Sequence, residues 1–319
     1  MSDIKQFFWE KEEDKKLWFR AEVTHRQFAS LSCRLINADI ENEVINLDFF
    51  VNKLEKAKNI NLAEIEKWLK NSWNTENVLI QNKSIIENTG QSFAMQWAFP
   101  QAYYSTFGSL LAHFKALGYT QESHVAVLKH FALLVEQNKF PESLCFYCTG
   151  GKKNYSYVNI IKPKDMKSMD FNSNNLQTVN NQICQFLKAT REKKLDDKAP
   201  DLKFKNGKGS RRKNLSPEMW QQVSNSIGHT TLMDLLYRMR IKANYQDIDT
   251  FSSTEFKGLE VLQNLSSVVS RLNLVSETYI AKAIGLECYE SMLNRHLKKV
   301  NNETVKTRFE ITKTIISAS

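Results

Sequence analysis

Thr231-Leu-Met-Asp-Leu-Leu-Tyr-Arg-Met-Arg-Ile-Lys-Ala-Asn-Tyr245 joins an apolar stripe of helical period to a concentration of groups able to handle phosphate. Leu232, Leu235, Leu236, Met239 and Ala243 recur at spacings of three and four. That spacing gathers them on one face of a helix and leaves Tyr237, Arg238, Arg240, Lys242 and Asn244 on the rest of its surface. Arg240 and Asn244, four apart, fall on one side. Arginine presents a planar fork of donors that fits phosphate oxygens, so Arg238, Arg240, Asn244 and Tyr245 are the candidate site residues. The same pattern is also how the solvated outer face of an amphipathic helix reads.

Outward from this stretch, composition extends the helical reading to the whole chain. Only 10 glycines and 5 prolines in 319 residues are too few for a turn-dense β protein, and 42% hydrophobic with 11% aromatic residues suffices for a substantial core. A mainly all-α fold follows. The net charge of +9 favours anionic partners. No run of about 18 apolar residues offers a membrane span, and the charged opening stretch lacks the core of a signal peptide, so a soluble cytoplasmic protein is expected. Five cysteines suit a reducing compartment. Cys145-Phe-Tyr-Cys148 has knuckle spacing but no second pair to complete four zinc ligands, and the sequence calls for neither metal nor cofactor.

Taken in order, residues 3–36 read as one or two amphipathic helices, and 46–58 as another. Asn61 with Glu64 starts a helix over 63–73, whereas the Asn-rich 71–88 reads as a loop with one extended piece at Val78-Leu79-Ile80. Pro100 starts or kinks a helix that carries Tyr103, Phe107, Leu110, Leu111 and Phe114 and stops at Gly118. Thr120 is the expected N-cap of the next helix, which bears His124 and His130. Residues 143–147 and 155–161 read as the strands of a small hairpin, and Leu176, Val179, Ile183 and Phe186 as the apolar side of a helix. Ser216-Pro217-Glu218 opens another helix, and Gly228 breaks the chain beside His229, which could fold back towards Arg238 or Arg240. Ser252 to Glu255 forms a capping box for a long helix, 275–300 is again helical, and the tail beyond Asn301 docks or frays.

Ala102-Tyr-Tyr-Ser-Thr-Phe-Gly-Ser-Leu-Leu-Ala-His-Phe-Lys-Ala-Leu-Gly-Tyr119, followed by Glu122-Ser-His-Val-Ala-Val-Leu-Lys-His-Phe131, resembles the central helical hairpin of the HEPN-domain superfamily. Leu236-Tyr-Arg-Met-Arg-Ile-Lys-Ala-Asn-Tyr245 is similar to its later arginine-centred motif. The resemblance covers about a third of the chain in two blocks. It implies a bundle of about four or five helices, commonly dimeric, whose active members cut RNA without metal. In them an arginine holds the phosphate and a histidine, separated from it by four to six residues, transfers the proton. Here Tyr245 stands at that place after Arg240, and a phenol with a pKa of about 10 is a poorer base at neutral pH than an imidazole of about 6.5.

Lys203-Phe-Lys-Asn-Gly-Lys-Gly-Ser-Arg-Arg-Lys213 is the most basic stretch and contains no acid. Lys203, Lys205, Lys208, Arg211, Arg212 and Lys213 are the candidate nucleic-acid contacts, the other reading being an exposed linker. The division implied is a helical N-terminal region over 1–88, a HEPN-like bundle from 89–139 plus 216–300, an insertion over 140–215 with the basic loop, and a tail over 301–319. Two functional readings stay open. One is a HEPN-like, nucleic-acid-directed protein of a toxin or antiviral defence system, with or without metal-independent endoribonuclease activity. The other is a non-catalytic assembly subunit that docks on a larger nuclease or ATPase and binds RNA or DNA through its basic loop. A homodimer or larger complex is expected in either case.

Overall fold

The computed structural model of the chain describes residues 12–54, 60–89, 95–162, 175–205, 210, 212, 214–252 and 257–319. The described residues form a mainly α-helical fold with one small β-hairpin. Its centre is three long helices: α3 (Leu62–Thr89), α4 (Met95–Ala116) and α10 (Gly258–Ile284), which pack on one another along their lengths. Nearly every residue of α4 from Ala98 to Ala116 is buried, as befits a helix enclosed on all sides. The helices come closest at Gly108, where a Cβ would stand 3.2 Å from the Trp68 carbonyl oxygen.

The loop expected over 71–88 is instead the second half of α3. Ile65, Leu69, Trp73, Glu76, Leu79, Asn82 and Ile86 are all buried and follow one another by three or four residues, so a single stripe runs past the asparagines. The exposed asparagines merely decorate its outer side, and burial of the stripe overrides their weak helix preference. Likewise α4 begins at Met95, before Pro100, which lies inside the helix. At its far end the Tyr119 N–H donates to the Phe114 carbonyl and the Gly118 N–H to that of Lys115, with Gly118 at φ +85°, a glycine-terminated stop. The next helix, α5 (His124–Glu136), is capped by Ser123, whose hydroxyl accepts from the Ala126 N–H, and not by Thr120.

Around this centre α1 (Glu12–Ile36) packs on α10, while α2 (Ile40–Ile45) and a π turn (Phe49–Lys53) follow it. Strands β1 (Tyr147–Thr149) and β2 (Ser156–Val158) pair antiparallel with Cys148 opposite Tyr157; the hairpin is present as expected, but its second strand is shorter than 155–161 and its first starts where 143–147 was expected to end. Cys148 also bridges to Thr230. The segment read as an insertion contributes α6 (Leu176–Lys198), and this helix belongs to the core: Phe186 stacks edge-on against Phe28 of α1. Arg191 of α6 is fully buried and donates to the Gly150 and Gly228 carbonyls and to the hydroxyls of Thr230 and Ser224. It therefore ties the hairpin to α7 (Pro217–Ile227), whose N-cap is Ser216 as expected.

After α7 come α8 (Leu232–Ile241), a π turn (Lys242–Gln246) and the short α9 (Ile248–Ser252). The capping box expected over 252–255 lies largely outside the described residues. The helix read over 275–300 is two: α10 ends at Gly285, φ +92°, and α11 (Leu286–Leu297) begins. Beyond it α12 (Glu303–Ala318) packs on α10 and inserts Arg308 between Glu76 and Glu277, so the segment past Asn301 docks. Among the described residues no helix is long and apolar enough to cross a membrane.

Candidate anion-binding cluster around Arg240

The apolar side of α8 fixes the helix: Leu232, Leu235, Leu236 and Met239 are all buried, and α8 crosses α4. Its start is set by a capping box in which the Thr231 N–H donates to Asp234 Oδ2 at 2.8 Å, while Lys194 of α6 reaches Asp234 Oδ1 at 2.6 Å. With its start and its apolar side held, its remaining side chains emerge in fixed directions.

Residues two apart on an α-helix diverge by roughly 200°, and the two arginines do so here. Arg238 turns to α6 and donates to Thr190 Oγ1 at 3.1 Å. Arg240 turns to α4 and α5. Its guanidinium donates to the Tyr104 hydroxyl and its Cζ stands 5.0 Å from the ring centroid of Tyr237, 5.3 Å from Tyr104 and 5.4 Å from Tyr103. Tyr237 lies one turn before Arg240 on the same side of α8, and Tyr103 and Tyr104 come from α4. The expected pairing of Arg238 with Arg240 at one cleft is thus not what the fold presents.

A histidine completes the Arg240 cluster. His124, first residue of α5, lies 2.8 Å through Nδ1 from the Tyr103 hydroxyl, and its ring is 6.0 Å from that of Tyr237 and 6.0 Å from that of Tyr104. Burial, and then the charge of Arg240, hold its pKa below the ordinary imidazole value, so it is neutral at pH 7. Burial pushes the Tyr103 phenol up, against the pull of Arg240, and keeps it protonated. Among the described residues no carboxylate lies within ion-pair distance of Arg240, although cation–π contacts of about 0.5–2 kcal/mol each favour the guanidinium where it is. The cluster therefore combines a charge not neutralised by an acid, hydroxyl donors and a neutral imidazole, which together suit a phosphate oxygen and the transfer of a proton beside it.

Reasoning along one helix missed His124 because the histidine comes from a different one. The available signal was Ser123-His124 at the opening of the helix after the Gly118 stop. Of the other candidates, Asn244 is half-buried in the π turn with its Oδ1 unpartnered, and Tyr245 is 74% exposed and makes no ring contact with the cluster. His229 does not fold back towards either arginine: its Nε2 is 2.9 Å from Glu136 and its ring 4.5 Å from that of Tyr147.

Of the basic stretch, Lys203, Lys205 and Arg212 are described; Lys208, Arg211 and Lys213 lie outside the described residues. The Arg212 N–H donates to the Phe204 carbonyl at 2.8 Å, and Phe204, Arg212, Lys152, Lys153 and Trp220 border a depression of about 1070 Å³ between the hairpin, α6 and α7. Lys152 lies over the Trp220 ring at 4.7 Å. Cys145 and Cys148 are buried free thiols that burial pushes up to about 11 and about 12. Among the described residues no group of three or more His, Cys, Asp or Glu side chains could hold a metal. Searches against protein-family models, curated proteins and solved structures return no match to this chain.

Proposed function

We propose that the chain is a HEPN-like protein directed at RNA, of the kind that serves in toxin or antiviral defence, acting in the cytoplasm as a homodimer or within a larger complex. The observation that carries this reading is the Arg240 cluster: a guanidinium with no acid partner among the described residues, held on three tyrosine rings beside a neutral histidine. It replaces the single-helix arrangement, with Tyr245 as base, by one in which the imidazole comes from α5.

In the chemistry proposed, Arg240 and the Tyr104 hydroxyl hold the oxygens of a phosphodiester. The tautomer of His124 whose Nδ1–H donates to Tyr103 leaves the Nε2 lone pair to take the proton of a ribose 2′-hydroxyl. The 2′-oxygen bonds to phosphorus, the bond from phosphorus to the 5′-oxygen breaks, and the leaving oxygen takes a proton from solvent. A 2′,3′-cyclic phosphate and a 5′-hydroxyl result, with no metal required. Labelled RNA incubated in EDTA should be cut, with Arg240→Ala and His124→Ala each lowering the rate by about a hundredfold or more, and Tyr245→Phe leaving it unchanged. If the wild-type chain leaves RNA intact at every concentration, the catalytic version is wrong.

The depression beside Trp220 favours the second reading, a non-catalytic assembly subunit that docks on a larger nuclease or ATPase. There Lys152, Lys153 and Arg212 stand around the rings of Phe204 and Trp220, a combination that suits single-stranded nucleic acid, and no histidine is among its lining residues. Binding by this route is steeply salt-dependent. Replacing the lysines and arginines of 203–213 by glutamine should weaken binding and flatten its salt dependence; an unchanged isotherm counts against the loop.

A further inference from the structure

Next to the Arg240 cluster, with Tyr237 between the two, α5, α6, α8 and the turn between α7 and α8 border a cavity of about 810 Å³. We propose that it is a binding site for a small organic monoanion with an aliphatic body, in chemical terms an acyl carboxylate of medium chain length. The inference stands on this cavity alone and does not depend on the reading of Arg240.

The charges around the cavity are unevenly spent. Its three acids each hold a partner of the same chain: Glu136 takes the His229 ring at 2.9 Å, Asp197 takes Lys193 at 2.7 Å and Asp234 takes Lys194 at 2.6 Å. Lys129 and Arg238 are left over, and of the two Arg238 is the one partly withdrawn from solvent. Among the described residues it has no ion-pair partner, and its hydrogen bond is to Thr190 Oγ1, an atom that accepts from Arg238 and still has its own O–H to donate. A carboxylate placed there would receive the guanidinium fork and a hydroxyl, the geometry in which one arginine recognises one planar anion.

The rest of the wall is aliphatic. Val125, Leu128 and Leu133 of α5 face Ile241 of α8 across the cavity, and two of them remain strongly exposed, Val125 at 65% and Leu133 at 44%. Aliphatic side chains of one helix left in water beside an uncompensated cation describe an amphipathic occupant, and the volume lies in the range of small-ligand sites. The only rings in the lining, Tyr237 and His229, are already engaged, the first by Arg240 and Tyr103 and the second by Tyr147. No free aromatic face is therefore offered to a nucleobase, and the body that fits is a saturated chain.

Calorimetric titration of the full chain with decanoate, below its micelle concentration, tests the assignment. Decanoate should bind one to one and at least tenfold more tightly than acetate, which has only the head, or decanol, which has only the body. Arg238→Gln should lower that affinity at least tenfold. Leu133→Glu, at an exposed position where the helix tolerates charge, should do the same with an unchanged circular-dichroism spectrum, and Arg240→Ala should leave binding intact. The proposal is overturned if decanoate does not bind, if decanol binds as well, if Arg238→Gln and Leu133→Glu bind like the wild type, or if Arg240→Ala abolishes binding. Displacement of decanoate by a lower concentration of adenosine monophosphate would overturn the aliphatic assignment in favour of a nucleotide.

Discussion

Arg308 and Arg240 carry the same side chain into opposite circumstances. Arg308 lies 2% exposed between two carboxylates, bonded through Nε and Nη2 to Glu277 at 3.0 and 2.6 Å and through Nη1 to Glu76 at 2.8 Å. Trp73 and Tyr289 complete the hydrogen bonding of Glu277, and Asn273 that of Glu76. Burial works against the Arg308 charge, but Glu277 and then Glu76 outweigh it and raise the pKa. Arg240 rests on three tyrosine rings with no carboxylate within ion-pair distance among the described residues. An arginine whose donors and charge are both satisfied internally fixes helices to one another; one supported on ring faces and a single hydroxyl keeps its charge available to a ligand. Arg191 shows that an acid partner is not the sole criterion, because its donors are taken by carbonyls and hydroxyls, and it too is scaffold.

The contrast breaks first at the level of stability. Arg308→Met removes the cation and leaves two buried carboxylates facing each other, a change that costs about 3–5 kcal/mol where a buried pair loses one member. Urea denaturation should show that loss, with α12 the first element to lose amide protection. Arg240→Ala should cost less, about 1–2 kcal/mol, as for three partly exposed cation–π contacts. Equal losses in the two variants would mean that Arg240 is scaffold as well.

A second test concerns burial without partners. His113, wholly buried among Phe114, Phe140 and Tyr279, has neither ring nitrogen hydrogen-bonded, and burial, then the neighbouring His130, lowers its pKa to about 3. The sign follows directly. Below the ordinary value of 6.5 the unfolded chain binds a proton that the native state refuses, so stability is full above 6.5 and falls as pH drops towards 3. The slope is about 1.4 kcal/mol per pH unit for one proton. His130, lowered to about 4 by burial and then by Lys139, acts in the same direction. Stability of His113→Leu measured between pH 6.5 and 4 should fall less steeply than that of the wild type, by about one proton, while at pH 7.5 the variant should be no less stable. An unchanged slope would place a hidden partner at His113.

The third test reads the cluster without requiring activity. Arg240 is the second cause, after burial, of the low His124 pKa. The ring-proton NMR titration of His124 should accordingly move upward in Arg240→Ala, by less than the full displacement because burial remains, and should stay put in Arg238→Ala. Movement in the Arg238 variant instead would mean that the wrong arginine has been placed beside the histidine.

How much of this was legible beforehand depends on whether a feature is local to one segment. Ser216 and Pro217 opening α7, Gly118 closing α4 and the stripe of α8 are written in neighbouring residues, and they fold as read. The asparagines of 71–88 misled because side-chain preference is weak beside the burial of Leu79 and Ile86 against α4 and α10. Arg238 and Arg240 both qualify as phosphate-binding candidates on one short helix, although a separation of two residues sends them to different neighbours. His124 was invisible as a partner for Arg240, being 116 positions away, as was Arg308 for Glu76. A sequence shows which residues can share a helix face; which face meets which is decided by packing.

The smallest effect comes from the third kind of arginine. Arg295 on α11 makes a two-pronged contact with Glu66 of α3, Nε to Oε1 at 2.9 Å and Nη2 to Oε2 at 2.6 Å, much like the Arg308–Glu277 pair. Here, however, the arginine side chain is 50% exposed. Hydrogen bonding from Arg295 draws the Glu66 carboxyl down to about 2, so the pair contributes above the ordinary carboxyl value of 4.5 and is lost as pH falls towards 2. Water and salt screen that contribution, and removing it by Arg295→Gln should shift the urea midpoint at pH 7 least of all these variants. In 1 M salt the difference should shrink further, whereas the loss on Arg308→Met should hardly change. If the surface variant proved as damaging as the buried one, geometry alone would set the worth of an arginine–carboxylate pair, and exposure could no longer be used to sort the arginines of this chain.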